Sequence, residues 1–312
     1  MKVVIGICLA GAAMLTVLMA QPRRTNTRKA TVVVANQKDP SLIAVDETNI
    51  YWVSDSGSAI KRVSKSGAAS AVTVLAGQKE IRELTVAGDR IYFVTADGVE
   101  SVGTNGEFQA TLIKATIYSA SNRNLLAVDD SNVYFVMSPA RGGEQVAKVG
   151  KTGGEPVTLA SGIYAPNGLV SDGANLYWAS YADGSISRVS LQDGRVAAAG
   201  HSLSGNTCMD VAVDETSVYA ACDNDVLKFP KAAGVPVKLE TIKPGFIKLE
   251  IDKTDVWVLN YDQTRLYKIS KNGGPSELVA EFGPFRVKSF ALDAAKIYWT
   301  DVKAGTIMSM RK

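Results

Sequence analysis

One short pattern, Asp-x-x-x-branched-aromatic, returns along the whole chain, with its aromatic residue at Tyr51, Tyr92, Tyr134, Tyr177, Tyr219, Trp257 and Tyr298 and its Asp missing only before Tyr92. The steps between these residues are 41, 42, 43, 42, 38 and 41. A period near 40 marks units too small to bury their own apolar faces, so each unit must stack on its neighbours. With 312 residues, length alone argues for two domains of about 150 residues each; the unbroken repeat argues instead for one ring.

Aligning the repeats on the aromatic residue resolves four strands per unit. The residue before it is always branched (Ile50, Ile91, Val133, Leu176, Val218, Val256, Ile297), as suits a strand buried on both faces. Eight residues upstream lies an apolar position: Ile43, Leu84, Leu126, Leu169, Val211, Leu249 and Phe290. Its downstream neighbour is mostly small, as an innermost strand near an axis needs, and only Glu250 departs strongly. Between the two strands six repeats place an Asp (Asp46, Asp129, Asp172, Asp214, Asp252, Asp293), whose carboxylate can close the turn on backbone N–H groups. A third strand such as Ile186–Val189 ends in a Gly-bearing turn, and an outer strand such as Ala71–Leu75 follows. The seventh repeat stops after its third strand. The missing strand is found at the other end of the chain, where Val34-Ala35-Asn36-Gln37-Lys38-Asp39 mirrors Leu75-Ala76-Gly77-Gln78-Lys79-Glu80. The expectation is an all-β, seven-bladed β-propeller over residues 30–312, with four-stranded antiparallel blades and the last blade closed by the N-terminal strand.

Tyr298-Trp299-Thr300-Asp301 spells YWTD, and Tyr51-Trp52-Val53-Ser54-Asp55 and Tyr177-Trp178-Ala179-Ser180 are close variants. The chain thereby resembles the YWTD (low-density lipoprotein receptor class B) repeat propellers, and Ala165-Pro166-Asn167-Gly168-Leu169-Val170 resembles the start of an NHL repeat. Those families are mainly six-bladed binding platforms. The resemblance therefore implies a binding module, whereas the count of seven prevents carrying over a surface geometry.

Residues 1–20 read as a signal peptide or N-terminal membrane anchor, because Val3 to Ala20 are uncharged and mostly apolar after Lys2. Residues 21–29 read as a flexible linker carrying Arg23, Arg24, Arg28 and Lys29. The expected location is outside the cytoplasm, periplasmic or extracellular, with contact to the inner membrane only through residues 3–20 if these are retained. Within the ring, charge is balanced (34 basic against 31 acidic residues overall), and no dense basic block points to nucleic acid. A monomer is expected.

The residues offer little catalytic chemistry. The single histidine, His201, lies in a polar Gly-Ser segment with no acidic residue beside it, and reads as a loop residue. Some seven-bladed propellers that this chain resembles in outline are lyases that open cyclic peptides, using a histidine and a metal-held carboxylate. Here one Asp per blade, each closing its own turn, gives no convergent metal site. No catalytic residue, metal or cofactor is assigned. Cys208 and Cys222 sum to the register of the hairpin turning at Asp214 to Ser217, so a disulfide is expected in an exported chain, against the alternative of two buried thiols. Loops entering the innermost strands ring the channel mouth, and the candidate ligand-binding residues there are Arg82, Arg123, Asn124, Asn167, Arg286 and Lys288. The partner is a protein or another small or polymeric ligand; the alternative is a hydrolase or lyase with its site at the channel mouth.

Overall fold

Strands rich in Val, Ile and aromatic residues, separated by Asp and Gly turns, pair into seven four-stranded antiparallel sheets in the computed structural model. The structure describes residues 29–67, 70–115, 117, 124–139, 143–205, 207–231, 235–284 and 286–312. The seven sheets are the blades of a β-propeller. The inner strands Ile43–Val45, Glu83–Ala87, Leu126–Val128, Pro166–Ser171, Cys208–Val213, Phe246–Ile251 and Val287–Leu292 belong to blades 1 to 7 in order and surround the axis. We call the face where the chain enters these strands the upper face, and the face of the Asp turns the lower one.

Blade 7 takes its fourth strand, Thr31–Val34, from the N-terminal side, paired antiparallel with Thr306–Arg311. The mirrored hexapeptides carry the same conformation into the next blade. Asn36 and Gly77 have φ of 58° and 77°, and Asp39 and Glu80 have φ of 45° and 50°. The side-chain amides of Gln37 and Gln78 donate to the carbonyls of Ala35 and Ala76 at 2.9 and 3.3 Å. The ring is therefore closed by the same local structure that joins blades 1 and 2.

The motif aromatic residue is fully buried in every blade, in clusters that each span two neighbouring blades. The turn Asp does more than close its turn. In blade 5, Asp214 Oδ1 accepts the N–H groups of Thr216 and Ser217 at 3.0 and 2.9 Å, while Oδ2 accepts the Tyr219 hydroxyl at 3.0 Å. Blades 1, 3, 4 and 7 repeat this arrangement, and in blade 6 Trp257 Nε1 donates to Asp252 instead. A lysine ending the third strand of the following blade then reaches back. Lys65, Lys231, Lys271 and Lys312 donate to Asp293, Asp172, Asp214 and Asp252 at 2.6–2.8 Å. Each also lies over the motif ring of that earlier blade, at 5.1–5.7 Å from its centre. Burial pulls these Asp carboxyls upward, but the lysine and the backbone N–H groups outweigh it: Asp252 is held at about 2, and Asp214 and Asp293 lie lower still. Burial and the charged acceptor together push the Tyr51 hydroxyl up to about 12.

Candidate functional site

The inner strands of blades 4 to 7 bulge, and each bulge changes which side chains that strand sends toward the axis. Register shifts fall between Asn167 and Leu169, Cys208 and Asp210, Phe246 and Lys248, and Val287 and Phe290. In blades 5 and 6 this brings Asp210 and Lys248, each directly before the always-apolar position, to the channel; Glu83 holds the same position in blade 2, on a strand without a register shift. Their equivalents are Leu42, Leu125, Gly168 and Ser289. Of the residues expected at the mouth, Arg82, Asn124, Asn167 and Lys288 lie one position earlier on their strands, so Glu83, Asp210 and Lys248 are not among them. A charged residue at a position otherwise apolar or small was the available signal.

The channel encloses a cavity of about 370 Å³, walled by Ala44, Ala127, Val170, Ala212 and Ala291 and carrying Glu83, Asn124, Lys248 and Glu250. Asn124 spans it. Its Nδ2 donates to Asp210 of blade 5 at 3.1 Å, and its Oδ1 accepts from Lys248 of blade 6 at 3.4 Å. Lys248 pairs with Glu250 at 3.1 Å. Asp210 is buried and accepts the backbone N–H groups of Leu249 and Val211, both at 2.9 Å. Gly168 makes room for it: a Cβ there would come within 2.6 Å of Asp210 Oδ1. Burial pushes the Asp210 carboxyl up to about 7 despite Lys248 and these N–H groups. Burial opposes the Lys248 ammonium, yet Glu250 and Asp210 outweigh it and hold its pKa above the ordinary value.

The other candidates separate. Arg82 and Lys288 face one groove of about 280 Å³ on the upper face, between blades 7, 1 and 2, with Pro40, Ser41, Ser56 and Ile81. Arg82 pairs with Glu80 at 2.8 Å; Lys288 makes no ion pair with a described residue. Arg286 lies away from them, clamping Asp301 through Nε at 3.1 Å and through Nη2. Asn167 is buried, and its Nδ2 donates to the Cys208 carbonyl at 3.3 Å. Arg123 lies outside the described residues. Across the upper face, blades 4 to 6 expose Tyr164, Tyr181, Leu203 and Tyr261, with Tyr181 and Tyr261 at equivalent positions four residues after the motif aromatic.

Cys208 and Cys222 are opposite one another across the blade 5 hairpin and joined by a disulfide. The rest of that hairpin pairs Val213 with Val218 through Asp210 with Ala221; the bulge at Met209 brings Cys208 into line with Cys222. His201 ends the outer strand of blade 4, exposed, with Nδ1 3.0 Å from the Ser202 carbonyl oxygen. Among the described residues no three His, Cys, Asp or Glu side chains converge to hold a metal ion, and no helix is long and apolar enough to cross a membrane. Residues 1–28, including the apolar segment 3–20, lie outside the described residues.

No known family profile matches the chain, and no protein of curated function matches it by sequence. Solved structures do resemble it. Virginiamycin B lyase from Staphylococcus aureus superposes with a TM-score of 0.72 at 11% identity, covering 91% of this chain and 98% of that one. A chain of a nidogen/laminin complex gives 0.56 at 14% identity, covering 74% and 92%. The extracellular domain of a putative one-component system from B. thetaiotaomicron gives 0.67 at 11% identity, covering 91% of this chain and 40% of that one. At such identities the likeness establishes the shared propeller fold.

Proposed function

We propose that this chain is an exported binding module that holds an anionic group of a partner protein or other ligand in the upper-face groove between blades 7, 1 and 2. The observation that carries this reading is the pairing of Arg82 and Lys288 on one groove, Lys288 without an ionic partner among the described residues. A guanidinium offers a planar fork to a carboxylate or phosphate, and an ammonium adds a point charge. The exposed tyrosines on the same face extend the surface with side chains favoured at protein interfaces. Export is supported by the apolar segment 3–20 and by the disulfide. The channel network, in contrast, serves the fold: Asp210, Asn124 and Lys248 tie blades 3, 5 and 6 to one another across the axis.

The test is mild cross-linking from periplasm or culture medium with wild type and with Arg82→Glu/Lys288→Glu. The double variant loses the wild-type partners while keeping its circular dichroism; wild-type binding weakens as salt rises. An unchanged partner set removes the groove from consideration. A second reading, an enzyme working in the channel, draws on the Asp210 carboxyl at about 7 beside Lys248, a combination suited to proton transfer. It requires Asp210→Asn to abolish a turnover that survives charge reversal in the groove.

A further inference from the structure

Between blades 6 and 7 the packing leaves a cleft of about 440 Å³ on the flank of the ring, distinct from both the channel and the upper-face groove. Its walls are Val279 and Phe282 from blade 6, and Trp299, Met308 and Met310 from blade 7. In blade 6 the residue paired with the one after the motif aromatic is Tyr267, which packs into the blade 5–6 core. In blade 7 the equivalent residue, opposite Trp299, is Met308, and it stays half-buried. Met308 thus lines the cleft with a flexible thioether. Phe282 and Trp299 lie 5.5 Å apart, tilted by 51°, so two aromatic surfaces meet in the cleft.

Arg286 stands at one end. Nε and Nη2 hold Asp301, which also accepts the Ala304 N–H at 3.0 Å, so the guanidinium plane is fixed. A guanidinium carries five N–H donors. Two are committed to Asp301, and the rest make no bond to a described group, on a side chain that is 38% exposed. The other acidic group lining the cleft, Glu281, is already paired with Arg265 at 3.0 Å. Small-molecule sites have this composition: a few hundred Å³, mainly apolar walls with adaptable methionines, and one oriented polar group.

We propose that this cleft binds a small amphipathic anion, its apolar body against Phe282, Trp299, Met308 and Met310 and its acid group on the free N–H donors of Arg286. Two fluorescent probes with similar aromatic bodies test it: anilinonaphthalene sulfonate, which is anionic, and phenylnaphthylamine, which is neutral. Wild type binds one equivalent of the sulfonate saturably. Arg286→Met weakens the sulfonate about tenfold, the loss of one charge-assisted contact, and leaves the neutral probe unchanged. Arg286→Met/Asp301→Asn, which strands no carboxylate, gives the same result if the single variant unfolds. Met308→Glu, which puts a charge into the apolar wall, removes both probes. Absence of saturable sulfonate binding to wild type, equal sulfonate affinity in the Arg286 variants, or retention of both probes by folded Met308→Glu overturns the proposal. None of these outcomes bears on Arg82 or Lys288.

Discussion

Replacing Lys271 by Met tests whether the lysine staples hold neighbouring blades together. Lys271 Nζ sits 2.8 Å from Asp214 Oδ2, with side-chain exposures of 10% and 26%. Methionine keeps most of the buried stem and removes the charge. Asp214 then retains Thr216, Ser217 and Tyr219 as donors but loses its ionic partner. Hydrogen bonds to charged groups contribute about 1.5–3 kcal/mol, and relief of the lysine's own desolvation offsets part of that. The expected loss is about 2 kcal/mol at pH 7. The pH dependence gives the diagnosis. The wild-type Asp214 carboxyl is held below its unfolded value by Lys271 and its hydrogen bonds against the pull of burial. Its contribution is therefore complete above about pH 4–5 and is lost as pH falls below the unfolded pKa, at about 1.4 kcal/mol per pH unit. With Lys271 gone the folded value moves back toward the unfolded one, so the variant loses less on acidification. Urea unfolding of both proteins at pH 7 and pH 3 reads this directly: the difference narrows by about 1 kcal/mol at the lower pH. A difference under about 0.5 kcal/mol at pH 7, or one independent of pH, refutes the staple.

Deleting residues 1–29 leaves the thermal midpoint unchanged, whereas deleting residues 1–35 removes the strand Thr31–Val34 from blade 7 and lowers it by roughly 5 °C or more; equal midpoints contradict closure by the N-terminal strand. The Cys208–Cys222 bridge closes a loop with a sequence separation of 14, so Cys208→Ala/Cys222→Ala costs about 3 kcal/mol, checked by denaturant unfolding. Intact mass after alkylation without reductant shows neither of these two cysteines modified. Gly168→Ala strains a φ of 58° and drives a methyl against Asp210, so it destabilises by about 2 kcal/mol or more, a loss that Asp210→Ala partly relieves in a double-mutant cycle.

The ring was legible because its determinants are local and repeated: the buried aromatic, the small inner residue and the Asp turn recur at one period, and the duplicated hexapeptide disclosed the closure. The staples were hidden because they join Lys271 to an Asp 57 residues away, and nothing in the spacing of one repeat shows what the next sends across. The channel was hidden by a single-residue error. Bulges shift the inward face by one position, so Asp210 and Lys248 looked like flanking residues, and Asn167 looked accessible although it is buried. Arg82 and Lys288 do share a groove, whereas Arg286 is drawn away by Asp301, a residue of the YWTD motif itself. Cys208 and Cys222 were legible as hairpin partners, and they face each other because the bulge at Met209 shifts the strand by one.

Whether the upper face meets a partner, as proposed, is tested most directly by site-specific cross-linking. A photo-activatable cross-linker placed at Ser41 or Ser56 lies in the upper-face groove, and one placed at Glu47 or Ala294 lies among the lower-face turns. Partner adducts are expected from Ser41 and Ser56, lost in the Arg82→Glu/Lys288→Glu background and weakened by salt. Adducts from Glu47 and Ala294 with none from the groove positions would contradict the upper-face proposal.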